Sequence, residues 1–192
     1  MHGDPYELFN LWYLPHISTG GENSNAVVLS TSSRNGRVSS RVVLLKHHDS
    51  DGFVFFTNYK STKGAQLEEN HSASLLFYWP DKSRQIRIEG RAEKTGSDES
   101  YNYFNSRNHG HKINAIVSEQ SRPVDDLNLF KQKMDSATEY YKSRTPERPS
   151  YWGGFRLVPD RFEFWEEGRD RFHTRQEFIY NGTEWKARLL QP

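Results

Sequence analysis

Apolar and polar residues alternate with a period of two over much of this chain, which is the pattern of half-buried strands. The clearest stretch is Ser83 to Lys94. There Ile86, Ile88, Gly90 and Ala92 share one face, and Arg87, Glu89 and Arg91 the other. Shorter strands are expected at Asn25–Thr31, Arg37–Lys46, Phe53–Thr57 and Ser72–Trp79. Asn35-Gly36 and Asp51-Gly52 supply the turns between the early ones. Near the C-terminus, Gly154–Val158, Arg161–Glu166, Arg171–Tyr180 and Glu184–Leu190 read the same way, with Asn181-Gly182 joining the last pair. Consecutive strands with tight turns indicate an antiparallel sheet or barrel rather than a parallel fold.

Helical spacing occupies the rest. Asp4-Pro5-Tyr6-Glu7 reads as a capped start, and Pro15 is expected to stop that helix. Ser61 caps a short helix ending near Asn70. Ser97-Asp98-Glu99 opens another that carries Tyr101, Tyr103 and Phe104, and His111–Glu119 follows. A long helix is expected from Pro123, with Val124, Leu127, Phe130, Met134, Ala137 and Tyr141 near helical spacing. Thr145–Pro149 is a surface connection. Strands lie on both sides of it, so residues 1–192 read as a single domain completed by the strands of 151–192. The class is mainly β with peripheral helices.

Composition narrows the function. Lys plus Arg number 26 and Asp plus Glu 25, a net charge of +1, which argues against a dedicated nucleic-acid binder. The longest apolar run, Leu75 to Trp79, is far short of the roughly 20 residues of a membrane span. Hydrophobic residues are only 34%, but aromatics are 14%, enough large side chains for a core at 192 residues. Cysteine is absent, which removes thiol chemistry and fits a reducing compartment. No secretory signal is visible near Met1, and a cytoplasmic setting is the expectation.

Four clusters could carry chemistry. Arg41 and Lys46 bracket an apolar strand; their odd spacing sends them to opposite faces, and alone they read as solvated tips. Thr57 to Gly64 joins a strand to a helix start and holds Ser61 and Lys63. It is either a phosphate seat or an ordinary capped helix with exposed lysines. Gln85 and Gln120 could offer amides to a heterocycle. Arg171, His173 and Arg175 share a face if they lie on a strand. Such a face either binds an anion or pairs with Glu166, Glu167 or Asp170. His47-His48 reads as solvated and His109-Gly110-His111 as a loop, with no metal site expected. Trp152-Gly153-Gly154 reads as a close backbone approach.

Taken in order, these segments resemble the pyridoxamine 5′-phosphate oxidase family of flavoproteins. Arg41–Lys46, Phe56-Thr57-Asn58, Arg84-Gln85, Tyr103–Arg107, Gln120-Ser121, Trp152–Arg156, Glu163-Phe164-Trp165 and Arg171–Arg175 carry the likeness. It implies an antiparallel split β-barrel homodimer with FMN at the subunit interface. It also implies an oxidase that converts pyridoxamine or pyridoxine 5′-phosphate to pyridoxal 5′-phosphate while O2 becomes hydrogen peroxide. Arg41, Val43, Leu44, Lys46, Phe56, Thr57, Ser61, Thr62, Lys63, Gln85, Gln120, Ser121, Trp165 and Arg175 correspond to its FMN-binding positions. Lys46, Tyr103, Arg107 and His111 correspond to its substrate-phosphate cradle, and Arg171 and His173 to the residues that hold the substrate ring over the flavin.

Some positions depart from the family pattern. Thr62 stands where an arginine is usual, His111 replaces a small hydroxyl residue, and Thr174 replaces an aspartate. The chain also starts close to Asp4-Pro5, without the extension that can cover the substrate. Trp79 and the ending Arg188–Pro192 resemble a branch that oxidises dihydrophenazine-like aromatic precursors in secondary metabolism, the second reading. A third is a protein that holds FMN or pyridoxal phosphate without turnover.

Overall fold

The computed structural model describes residues 3–192. One antiparallel sheet of nine strands organises them. The strands are β1 Ala26–Ser32, β2 Val38–Leu44, β3 His47–Asp49, β4 Gly52–Asn58, β5 Ser72–Trp79, β6 Arg84–Lys94, β7 Trp152–Glu166, β8 Thr174–Tyr180 and β9 Trp185–Leu190. Their order is β2-β1-β5-β6-β7-β4-β3, with β8 on β7 and β9 on β8. The helices are α1 Pro5–Thr19, α2 Thr62–Glu69, α3 Ser97–Ser106, α4 His109–Val117 and α5 Leu127–Tyr141.

The sheet curls around an aromatic core. Phe53 and Phe55 of β4, Phe77 of β5, and Phe155, Phe162 and Phe164 of β7 are fully buried on its inner face. Helix α1 plugs one opening with Leu8, Phe9 and Tyr13. The Phe9 ring lies edge-on to Phe53 at 4.9 Å and to Phe77 at 5.4 Å between centroids, a geometry aromatic pairs favour.

Strand β7 is the spine. It pairs with β6 along its whole length, but its other edge is divided. Trp152–Leu157 bond β4, and Arg161–Glu166 bond β8. The changeover falls at Pro159, where the register with β6 slips past Asp160. Proline has no N–H to offer a neighbour, so a gap between two partners suits it. The expected pair of strands on either side of Pro159 is therefore one bulged strand.

Other departures have similar local causes. Pro15 sits inside α1 rather than ending it. The carbonyl it fails to satisfy belongs to Leu11, an exposed residue that water can reach. The long helix starts at Leu127, not Pro123, because the Asp126 carboxylate caps it through the N–H groups of Asn128 (2.7 Å) and Leu129 (3.4 Å). His109 and His111 lie in the first turns of α4 rather than in a loop. His48 is half-buried instead of solvated: it belongs to β3, bonds Asn10 Oδ1 at 2.8 Å and stacks on Phe53. The hairpin at Asn35-Gly36 is as expected, with Gly36 at φ +82°.

Phe9→Ala should lower the unfolding free energy by about 3–5 kcal/mol, since the ring is wholly buried and its site is lined by other rings. Urea unfolding followed by tryptophan fluorescence measures this. A loss under about 1 kcal/mol would show that α1 is not part of the core.

Candidate functional site

Where β2 ends, the chain leaves β1 and crosses to β4, with Lys46 N–H donating to Val54 O at 2.8 Å. A cavity of about 410 Å³ opens beside this crossing. Val43 and Leu44 of β2, Phe56 and Thr57 of β4, Lys63 of α2, and residues of α3 and α4 line it. One wall is a stack of three near-parallel rings. Phe56 and Tyr103 lie 3.9 Å apart, and Trp152 is 5.7 Å from Phe56. Glycines at 153 and 154 make the wall possible. A Cβ at Gly154 would lie 2.9 Å from the Phe56 ring, and one at Gly153 would lie 2.0 Å from the Tyr59 hydroxyl. The close approach read from the sequence is thus a packing requirement of the site.

Lys46, Tyr103, Arg107 and His111 line the cavity, with the Lys46 ammonium 5.9 Å from the Tyr103 ring centroid. The Arg107 guanidinium lies over Trp152, 4.6 Å from the ring centroid. Its Nη1 is buried and has no hydrogen-bond partner. Burial weakens Arg107's hold on its proton, partly offset by Tyr103, though a guanidinium remains charged at any ordinary pH. A buried donor without an acceptor is costly unless something anionic completes it.

Lys63 also lines the cavity. Ser61 is fully buried and caps α2: its Oγ donates to Asn58 O (2.7 Å) and accepts from Gly64 N–H (3.3 Å). That cap starts the helix so that Lys63 turns inward. Its Nζ donates to Thr57 Oγ1 at 3.2 Å and to Gln120 Oε1 at 3.5 Å. Burial, and then the nearby Arg41, push the Lys63 ammonium down to about 8. Arg41 sits behind, bonded to Leu29 O (3.1 Å), Thr31 Oγ1 (2.6 Å) and Gln66 Oε1 (3.5 Å). Among the described residues no carboxylate forms an ion pair with Arg41, Lys46, Lys63 or Arg107.

The remaining expected residues form a second cluster. Gln85 of β6, Trp165 of β7 and Arg175 of β8 stand directly opposite one another across three strands. The His173 ring packs on Trp165 at 4.7 Å, and its Nδ1 accepts from Gly168 N–H at 3.3 Å. In the neutral ring that leaves the proton on Nε2. Arg171 does not share a strand face with His173 and Arg175. It closes the turn Arg169–Arg171 ahead of β8, with φ +64°, and is exposed. That tight turn, held by Phe172 N–H to Arg169 O and His173 N–H to Arg171 O, breaks the alternation.

Gly154 and Trp165 stand eleven residues apart on β7, on either side of the bulge at Pro159. Neither Gln85, Trp165, Arg171, His173 nor Arg175 lines the cavity of the first cluster. Thr62 and Ser121 are also outside it: both are exposed, and Thr62 borders a shallow depression with Arg37 and Gln66. Sequence reasoning missed Asn114, Ala115 and Ser118 as lining residues. With His111, Ala115 and Ser118 follow i, i+4, i+7 spacing, which marks one face at the end of α4. Trp152 was legible only as part of a tight approach, not as a ring wall.

A family profile described as "Pyridoxamine 5′-phosphate oxidase" matches residues 15–141. A second, "Pyridoxine 5′-phosphate oxidase C-terminal dimerisation region", matches residues 152–192. The chain is 44% identical over 192 residues to the pyridoxine/pyridoxamine 5′-phosphate oxidase of Burkholderia lata, covering 98% of this chain and 89% of that one. It is 42% identical over 194 residues to the chloroplastic pyridoxine/pyridoxamine 5′-phosphate oxidase 1 of Arabidopsis thaliana, covering 98% of this chain but 37% of that longer protein. The crystal structure of PhzG from Burkholderia lata 383, in complex with tetrahydrophenazine-1-carboxylic acid, superposes with a TM-score of 0.93 at 29% identity. That match covers 100% of this chain and 94% of the other.

If Lys63 seats a phosphate, anion binding is pH-dependent. The folded protein releases this proton near pH 8, whereas the unfolded chain keeps it to about 10.5. The cost of burying the charge is therefore present below pH 8 and fades between 8 and 10.5. A phosphate dianion seated there needs the charged form. Its affinity should fall as pH rises above 8, by at most about tenfold per pH unit, and Lys63→Met should remove the dependence. Titration of the apoprotein with a phosphate monoester at several pH values checks this; a flat profile would show that Lys63 is not the seat.

Proposed function

The chain belongs to the pyridoxamine 5′-phosphate oxidase family, and from that premise we propose that it is a homodimeric FMN-dependent oxidase. It converts pyridoxamine or pyridoxine 5′-phosphate to pyridoxal 5′-phosphate. For the amine, O2 and water are consumed and ammonia and hydrogen peroxide released. The observation that carries this reading is a pair of anion seats in and beside one cavity. Lys63 backed by Arg41 is one and Lys46 with Arg107 the other, neither balanced by a carboxylate among the described residues. A single phosphorylated ligand needs one such seat. Two seats suit a phosphorylated cofactor and a phosphorylated substrate bound together.

The residues fit FMN. Lys63, Arg41 and the buried Ser61 at the start of α2 suit its phosphate. Val43, Leu44 and Phe56 give a flat ring an apolar bed, and Gln120 offers an amide. Gln85, Trp165 and Arg175 come from the second chain: they stand across the Pro159 bulge from the first cluster, and none of them lines its cavity. A two-fold dimer brings one chain's first cluster against its partner's second and makes two equal sites.

FMN, when bound, supplies the hydride acceptor for the substrate's C4′ carbon and the centre that O2 reoxidises. The chain's own contribution is placement. Lys46, Tyr103 and Arg107 hold the substrate phosphate, with the orphan Nη1 of Arg107 gaining an acceptor. Arg171 and His173 hold the substrate ring. With Nδ1 accepting from the Gly168 N–H, the Nε2–H of His173 is the ring's free hydrogen-bond donor. Fixing the donor carbon in register removes much of the barrier to hydride transfer.

A second reading has one observation of its own: the likeness to PhzG extends over the whole chain. An anion seat built of Lys46, Arg107 and His111 also suits a carboxylate on a tricyclic ring. The purified protein is expected to be yellow and to form peroxide with pyridoxamine 5′-phosphate. Turnover of a dihydrophenazine carboxylate, with none of pyridoxamine 5′-phosphate, would replace the first reading by the second. Arg171→Ala should cut turnover on the order of 100-fold while flavin content stays near normal. Loss of flavin in parallel with activity would show that Arg171 holds the cofactor instead.

A further inference from the structure

Behind the row Gln85–Trp165–Arg175, two residues along the same face, lies the row Arg87–Glu163–Glu177. Glu163 is 2% exposed. Its Oε1 accepts from Arg175 Nε at 2.8 Å and lies 2.7 Å from Arg175 Nη2. Its Oε2 accepts from Arg87 Nη2 at 2.6 Å. The third arm of Arg175, Nη1, donates to Gln191 O at 3.0 Å.

A guanidinium gripped on two nitrogens by one carboxylate oxygen and on the third by a backbone carbonyl has a fixed plane and little rotamer freedom. The grip itself is fixed from behind, because the other oxygen of Glu163 is held by Arg87. Among the described residues, Arg175 is the only one of the expected cofactor cations whose charge is shared with a buried carboxylate. Elsewhere the cations are left unpaired to meet an anion. Here pairing and burial hold a side chain in one orientation, and its side chain is still 28% exposed on the face that carries Gln85 and Trp165.

We infer that Glu163 is the positioning residue for Arg175, presenting its guanidinium to the flavin from the partner chain's side of the site. The inference rests on the proposed function, since it takes Arg175 as a flavin contact. Glu163 does not touch the ligand; it acts through the arginine.

Glu177 supplies an internal comparison. It is also fully buried, and two arginines grip it: Arg161, whose Nε donates at 2.7 Å, and Arg188. Among the described residues no ion pair joins it to Arg175. Loss of either carboxylate should destabilise the sheet to a similar degree, but only loss of Glu163 should reach the flavin. FMN dissociation constants and visible flavin spectra are compared for the dimeric wild type, Glu163→Gln, Glu177→Gln and Arg175→Ala. The expected result is at least a tenfold weaker FMN complex with shifted absorption bands in Glu163→Gln and Arg175→Ala, and values within about threefold of wild type in Glu177→Gln. Weak binding in Arg175→Ala together with wild-type binding in Glu163→Gln overturns the inference and leaves the function standing. Equal weakening in Glu163→Gln and Glu177→Gln overturns it too, since sheet integrity then explains both. Wild-type binding in Arg175→Ala overturns the assignment of Arg175 and the inference with it. If Glu163→Gln does not fold, Glu163→Asp keeps the charge but shortens the reach. The same tenfold loss is expected there, and wild-type affinity overturns the inference.

Discussion

The stiffness of one strand sets the terms for everything else in this molecule. Strand β7 runs for 15 residues with β6 bonded along its full length, and its free edge is shared between β4 and β8. The side chains that gather at its two ends form separate clusters, on either side of the bulge at Pro159. One end carries the ring wall and the unpaired cations; the other carries Gln85, Trp165 and Arg175. The proposed ligand site takes one cluster from each chain. Two-fold association of identical chains is the economical way to bring unlike halves together, because a single contact then completes two sites at once.

The near-neutral net charge hides a separation of charge roles. On the outer face of β6 to β9, glutamates and arginines alternate in a compensated ladder: Glu89 and Glu177 on Arg161, and Glu163 on Arg87 and Arg175. Around the cavity no carboxylate among the described residues pairs with Arg41, Lys46, Lys63 or Arg107. The same residue types thus do opposite work, rigidity in one place and recognition in the other. What differs is only whether a carboxylate stands alongside.

The sequence was most legible where a local rule acts alone. Ser61 as a cap, the hairpin at Asn35-Gly36 and the alternation of Ile86, Ile88 and Ala92 are each decided by a few neighbouring residues. It was least legible where a distant partner decides. Pro15 is tolerated because Leu11 faces water, and β7 continues past Pro159 because β6 holds its other edge. His48 is half-buried against α1, where Asn10 stands 38 positions earlier in the chain, and no local pattern announces that. The site divides in the same way. Lys46, Tyr103, Arg107 and Lys63 came from ordered likeness, and they share a cavity. The face assigned to Arg171, His173 and Arg175 failed at the turn Arg169–Arg171, where positive φ values interrupt the strand. Trp152 escaped as a wall residue because its role depends on Phe56 and Tyr103 from other elements.

The central claim is that each site takes its first cluster from one chain and its second from the other. Co-expression of an Arg107→Ala chain with an Arg171→Ala chain tests it most directly. Each variant alone is expected to be nearly inactive. In random mixed dimers one site carries both defects and the other neither, so activity should return to about a quarter of the wild-type value. If both residues served a site from the same chain, every site in the mixture would keep one defect. No recovery above the single variants, in a preparation shown to contain mixed dimers, would contradict the account.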